Sequence, residues 1–298
     1  MALTDDIRAA CARVAARARS VSIAEAAIEP YARTLPATAP PAPDAAGGDL
    51  EARAAFSLTL NAINFGSGWF PTLRKPAGLS GFRTVEAGLR AHGPWTAAQL
   101  RALSPGDAAA AFGQDPGHEL MARFAHALNE LGERVAGEHG GSYLALARAG
   151  DGSAERLAEH LAGWPGWHDV ATYDGAPVPF FKRAQIAASD LHRTGIAPAD
   201  DIARLTLFAD NLVPHVLRLD GVLVLDAALA ARIERGELLE HGSPEEVELR
   251  ACALHAVERL VAARGDLNAA TVDDILWHRG AGARYKAVPR HRARTTAY

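Results

Sequence analysis

The chain has few of the features that mark secreted or membrane-spanning proteins. It contains only two cysteines among 298 residues, Cys11 and Cys252, and both lie in helical patterns typical of reduced core thiols. No apolar run reaches the length of a membrane helix, and the first twenty residues mix acids with arginines where a signal peptide would be apolar. We therefore expect a cytoplasmic protein without structural disulfides or a membrane partner.

An excess of positive charge and the common metal-binding motifs are also missing. The formal net charge is −4, so a general nucleic-acid-binding surface is not indicated and no stable nucleic-acid partner is expected. The sequence has no CxxC motif, no HExxH motif and no cluster of histidine and cysteine residues. On these grounds we expect no metal site.

Strand patterns are scarce, and residues 221–225 are the best candidate for one. Helical patterns cover most of the chain, including one that Ser243 and Pro244 open and Gly265 ends. Residues 36–48 are rich in proline, alanine and glycine, which predicts a loop. We expect a mainly α protein with few or no strands, formed by residues 1–298 as one domain. Two lobes around a cleft are the alternative.

The segment from Leu205 to Leu217 places a single acid, Asp210, inside an apolar run. Burying an unpaired carboxylate costs several kcal/mol, roughly, so this acid is paired, exposed or functional. A helix is predicted from Pro198 to Ala209, and Pro214 is predicted to end or kink a helix just after the acid. Asp210 would then lie at a rim where a ligand binds, or be an ordinary surface acid at a helix end.

Three further segments contain candidate binding residues. Phe65 and Trp69 lie in a glycine-punctuated segment and form either a core plug or a stacking surface. The cations Lys182 and Arg183 follow two phenylalanines at a predicted helix start, where they bind phosphate or face solvent. A group close to the end of the chain forms a pocket wall or packs at a helix end: Trp277, His278 and Arg279.

Several segments, taken in order, resemble the queuosine salvage family. They are FFKRAQIAASD (residues 180–190), TLFADNLVPHV (206–216), GELLEHGSPEEVELRACAL (236–254) and the final pattern PxHRxR (289–294). The resemblance runs from about residue 50 to the end, with residues 66–150 matching poorly. It implies a helical core related to the helix-hairpin-helix DNA glycosylases. It also implies hydrolysis of the bond between ribose and a 7-deazaguanine base, which releases queuine for reuse in tRNA.

The resemblance assigns roles to individual residues. The Phe-Ala-Asp of the family matches residues 208–210, so Asp210 is the expected catalytic carboxylate and Phe208 a stacking wall. A 7-deaza base has no N7 to protonate, so the enzyme must stabilise the oxocarbenium-like sugar, which suits one well-placed acid. A nucleotide or nucleoside is then the substrate, and neither a metal nor a redox cofactor is expected. Lys182 and Arg183 are the residues expected to bind the phosphate.

One departure from the family affects the expected base. In the family, an Asp-Tyr pair that lines the base pocket commonly follows the tryptophan that matches Trp277, whereas His278 and Arg279 follow it here. Our interpretation is that the glycosidic chemistry is kept, with queuine or a relative as the base, and that base selectivity has shifted toward a related 7-deazapurine or another modified nucleotide. The alternatives are a glycosylase of a different modified base, including a DNA lesion, and a non-catalytic protein that binds modified nucleosides.

Overall fold

The computed structural model describes residues 2–41 and 47–298, and helices dominate it. The α-helices of the described residues are α1 Leu3–Ala15, α2 Glu25–Thr34, α3 Leu50–Ala62, α4 Gly81–His92, α5 Ala97–Ala102, α6 Pro105–Ala111, α7 Glu119–His139, α8 Tyr143–Ala147, α9 Ala154–Ala162, α10 Lys182–Arg193, α11 Leu212–Leu219, α12 Ala227–Glu234, α13 Pro244–Arg264, α14 Ala269–Arg279 and α15 Ala283–Lys286. No described helix combines the length and the apolar character that crossing a membrane requires.

Within residues 2–41 and 47–298, six short strands form three separate pairs. They are β1 Val21–Ile23 antiparallel to β4 Leu223–Leu225, β2 Val170–Tyr173 antiparallel to β3 Ala176–Pro179, and β5 Leu238–Leu239 parallel to β6 Arg292–Ala293. The expected mainly α fold with few strands is confirmed, and the strand expected within residues 221–225 is β4. The relation to DNA glycosylases stays a prediction.

Helix α13 lies at the centre of the core. Its bounds are those predicted: the Ser243 side chain accepts a hydrogen bond from the Glu246 amide, and Gly265 ends the helix with a φ of 78°. Most of its side chains are buried, because α1, α2, α11 and α14 pack around the helix. A helix surrounded in this way can hold charged side chains in fixed positions, and Arg250 and Glu248 are two of them.

The predicted helix from Pro198 to Ala209 is wrong. A short 3-10 turn covers Ile202–Arg204, and residues 205–210 form neither helix nor strand. Tertiary hydrogen bonds hold this segment, including those from the Thr206 amide to Gln185 and from the Phe208 amide to Asp273. Helix α11 starts only at Leu212. Pro214 therefore lies in its first turn, where a missing N–H costs nothing, and does not end a helix.

The predicted proline-rich loop is described in part. Residues 36–41 and 47–48 form neither helix nor strand, and residues 42–46 lie outside the described residues. Helix α3 follows directly, where the Asp49 carboxylate accepts a hydrogen bond from the Ala52 amide.

Two glycines of α7 give opposite predictions for stability. A Cβ on Gly132 would lie 2.7 Å from the Ala97 carbonyl oxygen of α5, whereas a Cβ on the exposed Gly137 would meet nothing within 4 Å. We expect Gly132→Ala to lower the free energy of unfolding by about 1–3 kcal/mol through overpacking. Gly137→Ala should raise it by about 0.5–1 kcal/mol because alanine loses less backbone entropy. Urea unfolding of both variants checks this, and equal shifts would contradict the close α5–α7 packing.

Candidate active site

Two adjoining cavities meet at Asp210 and Lys182. The first, here called the acidic cavity, measures about 770 Å³ with its opening to solvent included. Its side chains come from α3, α4, α10, α14 and the segment before α11, and its acids are Glu86, Asp190, Asp210, Asp273 and Asp274. The second, here called the basic cavity, measures about 1660 Å³ on the same basis, and its cations are Arg83, Lys182, Lys286, Arg290 and Arg292. A ligand with a cationic end and an anionic end would match the two cavities.

The Asp210 carboxylate is fixed at the start of α11. Its Oδ1 accepts hydrogen bonds from the backbone amides of Leu212 at 2.7 Å and Val213 at 3.3 Å. These bonds hold the carboxylate at the N-terminal end of the helix, where the helix dipole is positive. No described residue donates a hydrogen bond to Oδ2, and Asp210 lines both cavities. The second oxygen is therefore free to act on a ligand at the junction.

Lys182 brings a cation to the same junction. It is the first residue of α10, follows Phe181 in the left-handed backbone region (φ 49°), and is buried. Its Nζ donates a hydrogen bond to the Asn64 carbonyl oxygen at 3.0 Å. Burial lowers the pKa of Lys182 to about 8, against the opposing attraction of Asp210. The ammonium is thus mostly charged near neutral pH and loses its proton under mildly alkaline conditions.

Carboxyl groups crowd the acidic cavity. Burial first, and then the neighbouring charges of Asp274 and Asp210, raise the pKa of Asp273 well above its usual value. Burial also raises the pKa of Asp274 to about 6, although Arg193 pairs with this carboxylate at 2.5 Å. Closely spaced buried carboxyls cannot all ionise together, so this surrounding favours the protonated form of Asp273.

Two aromatic side chains flank these polar groups. Phe208 is buried and lines the acidic cavity, while Trp277 lines both cavities. Phe82 packs edge-on against Trp277, with ring centroids 5.9 Å apart, and the Arg83 guanidinium lies 5.4 Å from the Trp277 ring. The cavities thus combine stacking surfaces with opposite charges.

Comparison with known proteins identifies the family. The model of the family described as "Queuosine salvage protein" matches residues 48–298. The chain belongs to the queuosine salvage family. A Sphaerobacter thermophilus protein is 36% identical over 265 residues, which cover 83% of this chain and 82% of that protein. A Bos taurus protein is 32% identical over 191 residues, 57% of this chain and 56% of that one. Both are named queuosine 5'-phosphate N-glycosylase/hydrolase.

In this member of the queuosine salvage family, six of the residues predicted from the sequence line the cavities. Phe65 lines the basic cavity, and His278 lines both and has its Nδ1 2.8 Å from the Asp274 carbonyl oxygen. The other four are Lys182, Phe208, Asp210 and Trp277.

The remaining three predicted residues line neither cavity. The Trp69 indole donates a hydrogen bond to Glu119 at 3.0 Å and is buried. The Arg183 guanidinium donates to the carbonyl oxygens of Ala62 and Gly166, and Arg279 pairs with Asp220 at 3.2 Å. Their contacts are with the protein itself, so the structure gives them no direct place beside a ligand.

Sequence reasoning missed several residues that line the cavities. They are Asn61, Asn64, Asp190, Asp273, Asp274, Arg290 and Arg292. Asp190 ends the segment FFKRAQIAASD, and Arg290 and Arg292 lie in the PxHRxR pattern, but neither pattern indicated a role for these residues. Burial lowers the pKa of both arginines. Neither guanidinium has a hydrogen bond or an ion pair with a described residue, so both are available to an anion.

A cluster of possible metal ligands lies apart from both cavities. The Nε2 atoms of His139 and His160 are 3.2 Å apart, and Glu138 is adjacent. Arg134 already pairs with Glu138 at 2.6 Å, and one imidazole can donate a hydrogen bond to the other. These contacts account for the arrangement.

Proposed function

We propose that this protein hydrolyses the N-glycosidic bond of queuosine 5'-phosphate and releases queuine. The names of the relatives support this activity. The observation that carries it is the place of the Asp210 carboxylate, at the junction of an acidic and a basic cavity. A nucleotide that spans the junction would present its glycosidic bond to this carboxylate.

In this arrangement the base occupies the acidic cavity. Phe208 and Trp277 offer faces for stacking, and the neighbouring carboxyl groups accept hydrogen bonds from the amino groups of the base. Although His278 replaces the acid that commonly follows this tryptophan, Asp190 and Asp274 supply carboxyl groups to the same cavity. One of them can pair with the amine of the queuine side chain.

The phosphate occupies the basic cavity in the same arrangement. Arg290 and Arg292 face it without described partners, and a guanidinium binds phosphate oxygens through paired N–H groups. Lys182 lies between this cavity and Asp210. This assignment moves the predicted phosphate contact from Arg183, which binds backbone carbonyls, to the two arginines near the end of the chain.

The reaction then proceeds with the carboxylate as an electrostatic partner. The C1'–N9 bond breaks with its electron pair going to the base, and the Asp210 carboxylate stabilises the cationic sugar that forms. Burial and the neighbouring acids raise the pKa of Asp273, and its protonated form would donate a hydrogen bond to the departing base. Water adds to C1', and the proton that it loses balances the one that N9 of the departing base takes up, giving ribose 5-phosphate and queuine. Water is the only co-substrate that this scheme requires.

In the direct test, the purified protein is incubated with queuosine 5'-phosphate, and the free queuine that it releases is measured by chromatography. The nucleoside queuosine and other modified nucleotides run beside it as comparison substrates. Release of queuine above that of every other base would support the proposal. Binding without release by folded protein would instead indicate a nucleoside-binding protein, and release of another base would indicate a shifted preference.

Lys182 predicts how turnover depends on pH. Its pKa of about 8 means that the charged fraction falls as the pH rises from about 7 to 9. If the ammonium supports the reaction, kcat of the wild type falls over this range. We expect Lys182→Met to lower kcat by about 10–100-fold at neutral pH and to remove this fall. If kcat of the variant falls with rising pH as it does in the wild type, a group other than Lys182 causes the fall.

A further inference from the structure

Arg250 occupies the middle of α13 and is fully buried. The Phe180 ring covers one part of its guanidinium, with 3.9 Å from Cζ to the ring centroid, and the Tyr298 ring lies at 4.4 Å. Tyr298 lines the basic cavity, but Arg250 lines neither cavity. The guanidinium is therefore one layer of side chains behind the proposed substrate site.

Hydrogen bonds from this guanidinium reach both sides of the junction. Its Nε donates to the carbonyl oxygen of Ala209 at 2.9 Å, in the peptide that leads directly into Asp210. Its Nη1 and Nη2 donate to the two oxygens of Asp169 at 3.0 and 2.6 Å. Asp169 also accepts a hydrogen bond from the Lys182 backbone amide at 3.1 Å. One planar group thus connects the backbone of Asp210 with the start of the helix that carries Lys182.

Each side also has hydrogen bonds of its own: the Thr206 amide binds Gln185, and the Phe180 amide binds the Asp169 carbonyl oxygen. Arg250 is the group that connects the two sides. Residues 205–210 belong to neither helix nor strand, and Phe181 adopts a left-handed conformation just before α10. A buried bidentate arginine–carboxylate pair is directional, so it fixes the positions of both segments. Glu246 lies 3.8 Å from Arg250 and adds a second carboxylate to its surroundings.

We propose that Arg250 is a positioning residue for base release, setting the relative placement of Asp210 and Lys182 through Ala209 and Asp169. The proposal rests on the proposed function. A lysine at this position keeps the charge but cannot reach the Ala209 carbonyl and both Asp169 oxygens together. Displacing a catalytic group by about 1 Å can lower a rate on the order of 10²-fold.

The test measures kcat and ligand affinity separately in Arg250→Lys. We expect kcat for queuosine 5'-phosphate to fall by about 10²-fold, with the Kd for free queuine changed by less than about threefold because the cavity walls remain. The matched control is Glu248→Gln, two residues away on α13. Glu248 is also buried, but it binds the backbone amides of Ser20 and Val21 and the Tyr173 hydroxyl, away from both cavities. We expect this control to lose thermal stability and keep kcat.

The outcomes separate the two proposals. If the wild type releases no queuine, the proposed function fails whatever Arg250 does. If the wild type is active and folded Arg250→Lys keeps kcat within about threefold, the positioning role is wrong. Equal losses of kcat in Arg250→Lys and Glu248→Gln would mean that Arg250 contributes only to the stability of the fold. If Arg250→Lys does not fold, Asp169→Asn replaces it under the same criteria, since it retains the side-chain shape and removes the carboxylate that links Arg250 to Lys182.

Discussion

Replacing Asp210 by asparagine is expected to lower kcat for queuine release on the order of 10³-fold. Asparagine keeps an oxygen that can accept the hydrogen bonds from Leu212 and Val213, so the start of α11 is preserved. What it loses is the negative charge beside the cationic sugar. Single-turnover release of queuine measures the chemical step, and titration of the nucleotide measures binding, which should change little.

Asp226→Asn is the matched control for this substitution. Asp226 also accepts a hydrogen bond at a helix start, from the Leu229 amide of α12 at 2.7 Å, but it lines neither cavity. It should keep wild-type kcat. If the two variants were equally active, the role of Asp210 would be confined to capping α11 and the proposed mechanism would fail.

Removing the charges of Arg290 and Arg292 is expected to have the second largest effect. Each charge-assisted hydrogen bond to phosphate contributes about 1.5–3 kcal/mol. The double variant Arg290→Gln, Arg292→Gln should therefore lose on the order of 10²-fold in kcat/KM for queuosine 5'-phosphate. The nucleoside lacks the phosphate, so its kcat/KM should change far less. Initial rates with both substrates measure the difference.

A charge control belongs with this experiment. Arg235 is exposed, pairs with Glu237 at 2.7 Å, and lies outside both cavities. Arg235→Gln should leave the preference for the phosphorylated substrate intact. Equal losses for the nucleotide and the nucleoside in the double variant would show that the two arginines support the site as a whole, and the phosphate would need another partner.

Local signals in the sequence were sufficient for some elements and insufficient for others. Helix α13 was predicted because Ser243, Pro244 and Gly265 mark its ends by their own chemistry. The segment before Asp210 was wrongly predicted as helical because its conformation depends on bonds to Gln185 and Asp273, which lie far away in the sequence. Intrinsic helix propensity is too weak to prevail over such tertiary contacts.

The residues of the candidate site were likewise predicted only in part. Asp210 and Phe208 were chosen through the family resemblance, whereas the helix packing that brings Asp273 and Asp274 beside them leaves no local mark. Lys182 and Arg183 illustrate a finer difficulty. Consecutive residues on a helix point about 100° apart, so only Lys182 faces the cavities, and Arg183 turns to the carbonyl oxygens of Ala62 and Gly166.

The family match covers less of the chain than the folded structure requires. The family match begins at residue 48, yet β1, at residues 21–23, pairs with β4. Arg264, at the end of α13, binds the carbonyl oxygens of Ala32 and Leu35. A chain shortened to residues 48–298 would leave the buried Glu248 carboxylate without its backbone partners and β4 with an unpaired edge. The recognisable enzyme thus depends on a preceding segment that the family pattern does not include.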